Sequence, residues 1–288
     1  MSNNAGTCKI VKFEPVEQID ALLSEFAEEF FDVVANDYTD DGKEQLVGYM
    51  RFELSSEDLE REAQQWQIKL PSYQIEVISS ADWLTENVIK FAPVNVAEFL
   101  VYGVHETNID PKDKIGIKVY AATAFGSEHQ TTKGCLRGIS DINRLIKPEK
   151  VLDVGTGSGI LSIAAAKLWA QAKIVAVDID NESVLVTAQN AADNGVESQI
   201  EVALSDGYQA PVVQQNAPYD VILANILARP LINMAEDMSK SLKKGGYAVI
   251  SGFIANQTDW VLKAHEKYGL HLKKMYQEDG WCAALLEK

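Results

Sequence analysis

A glycine-rich stretch, and a carboxylate at the end of the apolar run that follows it, are the residues best suited to chemistry in this sequence. Residues Asp153–Gly159 read D-V-G-T-G-S-G between an apolar run and a helical stretch. Glycines there let the backbone turn sharply and let a ligand approach closely. The next apolar run ends at Asp178, whose carboxylate could accept hydrogen bonds from both hydroxyls of a ribose. Asp180 is the less favoured partner, and Asp153 could face a cationic ligand.

Two common glycine motifs fit this stretch poorly. A dinucleotide-binding loop G-x-G-x-x-G/A that begins at Gly155 requires a small residue at the position of Ile160. No G-K-[ST] sequence follows, which excludes a phosphate-binding P-loop. A tight turn and an unrelated surface acid remain the structural alternative. The order strand, loop, helix, strand and acid nevertheless favours a ligand site.

Two further strand ends carry polar residues. Asp206 follows the apolar run Ile200–Leu204 and could meet an adenine amino group, although a solvated loop acid explains it equally well. Asn225 follows the apolar run Val221–Ala224. Because ligands bind beyond the carboxyl ends of parallel strands, Asn225 is placed to act on the reacting group, unless it only caps a turn.

Short apolar runs alternate with helical stretches from about Glu149 onward, which predicts an α/β fold with a mostly parallel sheet covered on both faces. The tail predicts an antiparallel hairpin of His271–Tyr276 and Trp281–Leu286, which brings the sheet to seven strands. The five earlier strands are predicted over Val151–Val154, Ile174–Val177, Ile200–Leu204, Val221–Ala224 and Tyr247–Ser251, and helices over Ile160–Trp169, Ser183–Asn194 and Pro230–Leu242.

The first 80 residues show a different pattern, in which short strands and helices follow the order β-α-β-β-α-β. This order is typical of a small α+β ferredoxin-like (split βαβ) domain. A helix start at Ser55, followed by an acidic turn, marks its second helix. We therefore expect a small domain over 1–80, a connection with edge elements over 81–115 and a larger domain over 116–288.

Composition limits the classes of function. The sequence has 288 residues, of which 47% are hydrophobic, and no apolar run is long enough for a membrane span. The start of the chain lacks signal-peptide features, and three widely spaced cysteines are typical of a reducing compartment, so we expect a cytoplasmic protein. The four histidines show no metal-ligand spacing. The net charge of −16 disfavours nucleic acid and could attract a basic protein, although solubility alone explains it more simply.

Five stretches together resemble one family. They are Ala124–Leu136, Asp153–Gly159, Val177–Asp180, Asn225–Leu231 and the pair Trp281-Cys282. They resemble the PrmA family, bacterial methyltransferases that modify ribosomal protein L11 at the stalk base of the large subunit. The combination of Asn-Ile-Leu-Ala with Ala-Phe-Gly and Thr-Thr is quite specific, and the resemblance covers nearly the whole chain.

The resemblance implies a recognition domain followed by a class I, Rossmann-like methyltransferase domain. It also implies S-adenosylmethionine as methyl donor and amines, on lysine side chains or at the N-terminus of the ribosomal protein, as acceptors. Thr132, Gly155, Gly157, Asp178 and Asn225 would contact the donor, and Asn225 would also be catalytic.

Two departures from the family pattern and three alternatives accompany this interpretation. The Gly126–His129 stretch is one residue shorter than usual, and Arg229 stands where many members have glycine. A class I methyltransferase that acts on another protein or a small molecule is the main alternative. A nucleic-acid base methyltransferase is disfavoured by the net charge and by Ala228, where such enzymes carry a stacking aromatic. The third alternative is a degenerate domain without activity that serves as a scaffold for a partner, and a test of cofactor binding would distinguish it.

Overall fold

The chain divides into two compact units, Met1–Asn87 and Val88–Lys288. The computed structural model describes residues 7–31, 33–38, 43–50, 55–79, 91–106, 108–120 and 130–288.

The first unit contains a four-stranded sheet and two helices, in the order β-α-β-β-α-β that the sequence predicts. The strand order in the sheet is β2-β3-β1-β4, and every neighbouring pair is antiparallel. This is the ferredoxin-like arrangement. The elements are β1 (Thr7–Phe13), α1 (Ala21–Phe30), β2 (Val33–Tyr38), β3 (Glu44–Met50), α2 (Ser56–Gln65) and β4 (Tyr73–Ser79).

Aromatic and aliphatic side chains from the sheet and both helices form the core of this unit. Phe13, Phe26 and Leu59 are each no more than 1% exposed. Ser55 caps α2, as the predicted helix start requires, and the structure shows that it forms a capping box with Asp58. Local capping and apolar periodicity therefore agree with the tertiary packing in this unit.

A small three-stranded sheet opens the second unit. It contains β5 (Val94–Val96), β6 (Phe99–Gly103) and β7 (Ile115–Val119), with β5 antiparallel and β7 parallel to β6. The sequence predicts a connection with edge elements over 81–115. Within its described part, from residue 91, Phe99 and Val101 are fully buried in the same core cluster as later helices. Apolar burial therefore ties these strands to the second unit.

The second unit is built on the predicted seven-stranded sheet. Its order is β10-β9-β8-β11-β12-β14-β13, in which β14 runs antiparallel to both of its neighbours and the other pairs are parallel. The elements are α3 (Gln130–Leu145), β8 (Lys150–Val154), α4 (Ile160–Leu168), β9 (Lys173–Asp178), α5 (Asn181–Asp193), β10 (Ile200–Leu204), α6 (Pro211–Asn216), β11 (Tyr219–Asn225), α7 (Ala228–Asn233), α8 (Ala235–Ser241), β12 (Leu242–Ile254), α9 (Thr258–Glu266), β13 (His271–Glu278) and β14 (Trp281–Glu287).

Both faces of this sheet are covered, as the continuous apolar runs predict. Val151 and its neighbour Leu152 are fully buried in two different core clusters. The helix predicted over Pro230–Leu242 is two helices, α7 and α8, because the backbone at Met234 leaves the helical region. In the described part of the chain, no helix has both the length and the apolar character that crossing a membrane requires.

The strand order of the sheet has a switch point between the parallel strands β8 and β11. From β8 the chain continues to β9 and β10 on one side, and it then returns to β11 on the other side. A crevice forms at the carboxyl ends of the strands at such a switch point, and it is the usual ligand site of doubly wound sheets. Gly155 and Asn225 lie at the ends of these two neighbouring strands.

Candidate active site

The bend after β8 requires glycine at three positions. Gly155, Gly157 and Gly159 have φ values of 71°, 58° and 80°, a region that other residues rarely adopt. The N–H groups of Gly155 and Thr156 donate to the carbonyl of Val177, at 2.8 and 3.0 Å. The loop is therefore fixed against the end of β9.

The carboxylate of Asp178 contacts this bend directly. Its Oδ2 accepts from the N–H of Gly157 at 2.9 Å, and its Oδ1 accepts from the N–H of Asp180 at 3.0 Å. The structure thus brings together the glycine loop and the acid that the sequence pairs with it. Asp180 caps α5 instead, because its side chain accepts from the N–H and the hydroxyl of Ser183.

Asp153 is a carboxylate buried beneath the loop, with only 1% of its surface exposed. Its Oδ2 accepts from Thr156 Oγ1 at 2.9 Å and from Ser162 Oγ at 2.6 Å. Its Oδ1 is buried and has no hydrogen-bond partner among the described residues. Burial raises the pKa of Asp153 to about 6, and the negative charge of Asp178 adds to the rise. The hydrogen bonds from Ser162 and Thr156 act in the opposite direction and lower the pKa. A nearby cation would favour the ionised form of this carboxylate.

Thr132 and Asn225 meet although 93 residues separate them in the sequence. Thr132 lies in the first turn of α3, and Asn225 ends β11. Asn225 Nδ2 donates to Thr132 Oγ1 at 3.4 Å. Beyond Asn225, the N–H of Ile226 donates to the carbonyl of Ser251 at 3.0 Å, which holds the start of the Asn-Ile-Leu-Ala segment against β12.

The glycine loop and the Asn-Ile-Leu-Ala segment are adjacent in space. Val154 pairs with Ala224 across the parallel strands β8 and β11, so the residues after them leave the sheet side by side. A Cβ atom added to Gly155 would collide with the side chain of Ile226. The predicted donor-binding and reacting residues therefore share one edge of the sheet.

Three supporting residues were missed by the sequence analysis. Gly252 has a φ of 99°, and a Cβ atom there would overlap the backbone of Ile226. A glycine inside a strand pattern signals such close approaches and could have identified it. Thr187 donates to the carbonyl of Gly157 at 2.9 Å, and the buried Asn190 donates to the carbonyl of Ser158 at 2.8 Å. Nothing in the local pattern of α5 indicates these two bonds.

The remaining predicted positions are placed as follows. Asp206 is exposed after β10, next to the buried Ser205, whose N–H donates to the carbonyl of Asp178 at 2.8 Å. Arg229 is exposed in α7. The Gly126–His129 stretch lies outside the described residues. In the part of the chain that the structure describes, no group of His, Cys, Asp and Glu side chains could hold a metal ion.

Comparison with known proteins gives the family. The model of the ribosomal protein L11 methyltransferase (PrmA) family matches residues 14–288. The chain belongs to this family. The resemblance that the sequence motifs predict is therefore confirmed.

Individual relatives of this methyltransferase agree with the assignment. This chain is 39% identical over 215 residues to a ribosomal protein L11 methyltransferase of Rhodopseudomonas palustris. The matched residues cover 74% of this chain and 72% of that relative. It is 40% identical over 217 residues to one of Brucella suis, with 75% of each covered. A solved ribosomal protein L11 methylase structure from Lactobacillus delbrueckii subsp. bulgaricus is 30% identical, with a TM-score of 0.60, and covers 69% of this chain and 99% of that one.

Family membership makes the protein a class I methyltransferase that uses S-adenosylmethionine. This donor carries a ribose, an adenine and positive charges on a sulfonium and an ammonium group. Three observations fit such a molecule: a bend of glycines without side chains, the Asp178 carboxylate at the strand end, and a buried oxygen of Asp153 without a partner among the described residues. The residues present are thus chemically suited to the donor.

Proposed function

We propose that this methyltransferase transfers methyl groups from S-adenosylmethionine to amino groups of ribosomal protein L11, on lysine side chains or at its N-terminus. Thr132, Gly155, Gly157 and Asp178 hold the donor, and Asn225 both contacts it and orients the amine. One observation carries the assignment of these roles. The pairing of β8 with β11 sets the glycine loop beside Asn225, so one edge of the sheet can present donor and acceptor to each other.

The chemistry assigned to the chain is positioning and management of a proton. When bound, S-adenosylmethionine supplies a methyl group on a sulfonium, which departs as a neutral thioether. A lysine amine has an ordinary pKa of about 10.4 and must lose its proton before it attacks. The half-buried crevice edge at Asn225 and the positive charge of the donor both favour the neutral amine.

Asn225 is suited to aim the neutral amine. Its Nδ2 is engaged with Thr132 Oγ1, so the amide oxygen is the atom suited to accept an N–H of the amine. Nearby backbone carbonyls accept the other N–H group, and the lone pair then points at the methyl group. Holding two reactants in this way removes a large part of the entropic barrier.

The first unit supplies recognition of the ribosomal protein in this proposal. Residues 1–70 hold 6 Lys and Arg against 16 Asp and Glu, a net charge of −10. Such a surface attracts a basic protein and repels a phosphate backbone. We therefore place substrate recognition in the N-terminal domain and the reaction in the C-terminal one. We assign the protein to the cytoplasm and expect no direct nucleic-acid specificity.

The test is methyl transfer from labelled donor to purified ribosomal proteins, followed by mass mapping. We expect label in L11, and an Asn225→Ala variant with turnover lower by at least about 10²-fold at an unchanged melting temperature. Asn233→Ala is the matched control, because Asn233 is exposed at the end of α7 and should leave the rate unchanged.

Three results would each contradict a part of the proposal. Wild-type rates in Asn225→Ala would remove the role of Asn225. Label in another protein or in a small molecule, with none in L11, would select the alternative acceptor. A KM for L11 that does not rise between low and high salt would argue against attraction by the acidic first unit.

A further inference from the structure

Asn190 of α5, and Asn194, which caps the C-terminus of that helix, complete the hydrogen bonding at the end of β7. The N–H of Lys118 donates to Asn194 Oδ1 at 3.0 Å, and Asn194 Nδ2 donates to the carbonyl of Lys118 at 2.6 Å. The N–H of Tyr120 donates to Asn190 Oδ1 at 2.7 Å, and Asn190 Nδ2 donates to the carbonyl of Tyr120 at 3.1 Å. Each side-chain amide thus forms the two-bond ring that a residue of an antiparallel strand would form.

The spacing of the two asparagines explains why both amides reach the strand. Four residues along a helix advance about 6 Å. Two residues along a strand advance about 6.6 Å. A helical residue and the cap four positions later can therefore face two backbone positions, two residues apart, at the end of the neighbouring strand, so that the two contacts form one repeated motif.

Asn190 differs from Asn194 in one respect, which concerns the glycine loop. Asn190 Nδ2 also donates to the carbonyl of Ser158 at 2.8 Å, inside the bend between β8 and α4. The corresponding extra bond of Asn194 Nδ2 goes to the backbone carbonyl of Asn190, within α5. Asn190 is fully buried, so water is not at hand to replace a lost bond there.

We propose that Asn190 is a positioning residue for the methyl donor. It holds the carbonyl of Ser158, and through it the bend in which Gly157 N–H meets Asp178. It also ties this bend to Tyr120, which follows β7. The inference rests on the proposed placement of the donor at Gly155–Gly157. Asn190 acts through the loop backbone, because its bond to Ser158 holds the loop in the conformation that binds the donor.

The test compares Asn190→Asp with Asn194→Asp. Each change preserves the side-chain size and the oxygen that accepts the strand N–H, but it replaces the amide donor by an oxygen that faces carbonyl groups. Binding of S-adenosylhomocysteine is measured by calorimetry, folding by circular dichroism and melting temperature, and kcat and the donor KM by methyl transfer to L11. Both variants should melt below wild type.

Only Asn190→Asp should weaken S-adenosylhomocysteine binding, by about tenfold or more, because only this variant loses the bond to the loop. Its donor KM should rise in parallel, while kcat at saturating donor stays within about threefold of wild type, because the lost interaction serves binding. Asn194→Asp should keep both the affinity and the donor KM within about threefold of wild type.

Three outcomes would overturn the inference. One is a folded Asn190→Asp variant that binds within about threefold of wild type. Another is an Asn194→Asp variant that loses as much affinity as Asn190→Asp, and the third is a fall in kcat without a rise in donor KM. If Asn190→Asp does not fold, Asn190→Ser takes its place with the same expectations. Wild-type protein that binds no S-adenosylhomocysteine would instead refute the donor site itself.

Discussion

The buried charge of Asp153 allows a quantitative prediction for Ser162→Ala. The substitution removes the 2.6 Å bond from Ser162 Oγ and leaves the 2.9 Å bond from Thr156 Oγ1 to the same carboxylate oxygen. A hydrogen bond to a charged group contributes about 1.5–3 kcal/mol. About 1 kcal/mol of bonding is also lost from the protonated acid, so the two protonation states differ by about 0.5–2 kcal/mol, or roughly 0.5–1.5 pKa units at 1.36 kcal/mol per unit. The pKa of Asp153, about 6 in the wild type, should therefore rise further in the variant.

The sign of the pH dependence follows from the unfolded reference. The folded pKa of Asp153 lies above its ordinary value of 3.8, so the folded state gains stability from this group as pH falls from about 6 towards 3.8. Above the variant's pKa the carboxylate is ionised in both proteins, and the full loss of about 1.5–3 kcal/mol appears. Well below pH 6 it is protonated in both, and only a neutral bond of about 1 kcal/mol or less is lost.

The assay is urea denaturation of both proteins at pH 8.5 and pH 5.5. The destabilisation by Ser162→Ala should shrink markedly at the lower pH. Ser183→Ala is the control, because it also removes a hydroxyl bond to a carboxylate, that of the partly exposed Asp180. It should cost less than about 1 kcal/mol at both pH values. Equal destabilisation by Ser162→Ala at the two pH values would refute the assignment of the titrating charge to Asp153.

Three further predictions concern the site and its surroundings. Gly252→Ala should cost at least about 2 kcal/mol and most of the activity, because its Cβ would overlap Ile226; Gly269→Ala, at a φ of 81° with open space around it, should cost about 1 kcal/mol and leave the rate unchanged. Affinity for S-adenosylmethionine should be about fourfold weaker at pH 5.5 than at pH 7.5, because a bound cation favours ionised Asp153; an Asp153→Asn variant that shows the same loss would contradict this. Burial lowers the pKa of His265, so its contribution to stability is lost as pH falls below 6.5; urea denaturation should show this decline in wild type and not in His265→Gln.

The parts of the site that the sequence predicts are those with a local physical cause. A chain that leaves a buried strand and turns at once into a helix needs positive φ, which makes Gly155–Gly159 visible as a pattern. The ends of neighbouring parallel strands lie side by side, so an acid at the end of the next strand is expected beside the loop. Asp178 does accept a hydrogen bond from this loop. The seven-stranded sheet is predicted for the same reason, because buried parallel strands read as continuous apolar runs.

The parts that the sequence does not predict depend on contacts between distant segments. Thr132 meets Asn225 across 93 residues, and only the family resemblance connects them in the sequence. In the sequence, Asn190 and Asn194 look like ordinary polar residues on a helix surface. In the structure, their amides bond to the backbone of Tyr120 and Lys118, 70 and 76 residues away. Propensity treats asparagine inside a helix as a weak former, so its role becomes visible only when the strand is in place.

The two acids at the glycine loop predict that the proposed donor site binds a cation more strongly than a neutral nucleoside. Burial, and to a smaller extent the negative charge of Asp178, raises the pKa of Asp153, so both effects disfavour the ionised form of this carboxylate. A positive ligand relieves both the repulsion and the desolvation of Asp153, whereas a neutral one relieves neither. Methyl transfer converts the sulfonium into a neutral thioether, so in the proposed site these carboxylates would hold the product less strongly than the donor. In that site, the charge arrangement that favours binding of the donor would also favour release of the product.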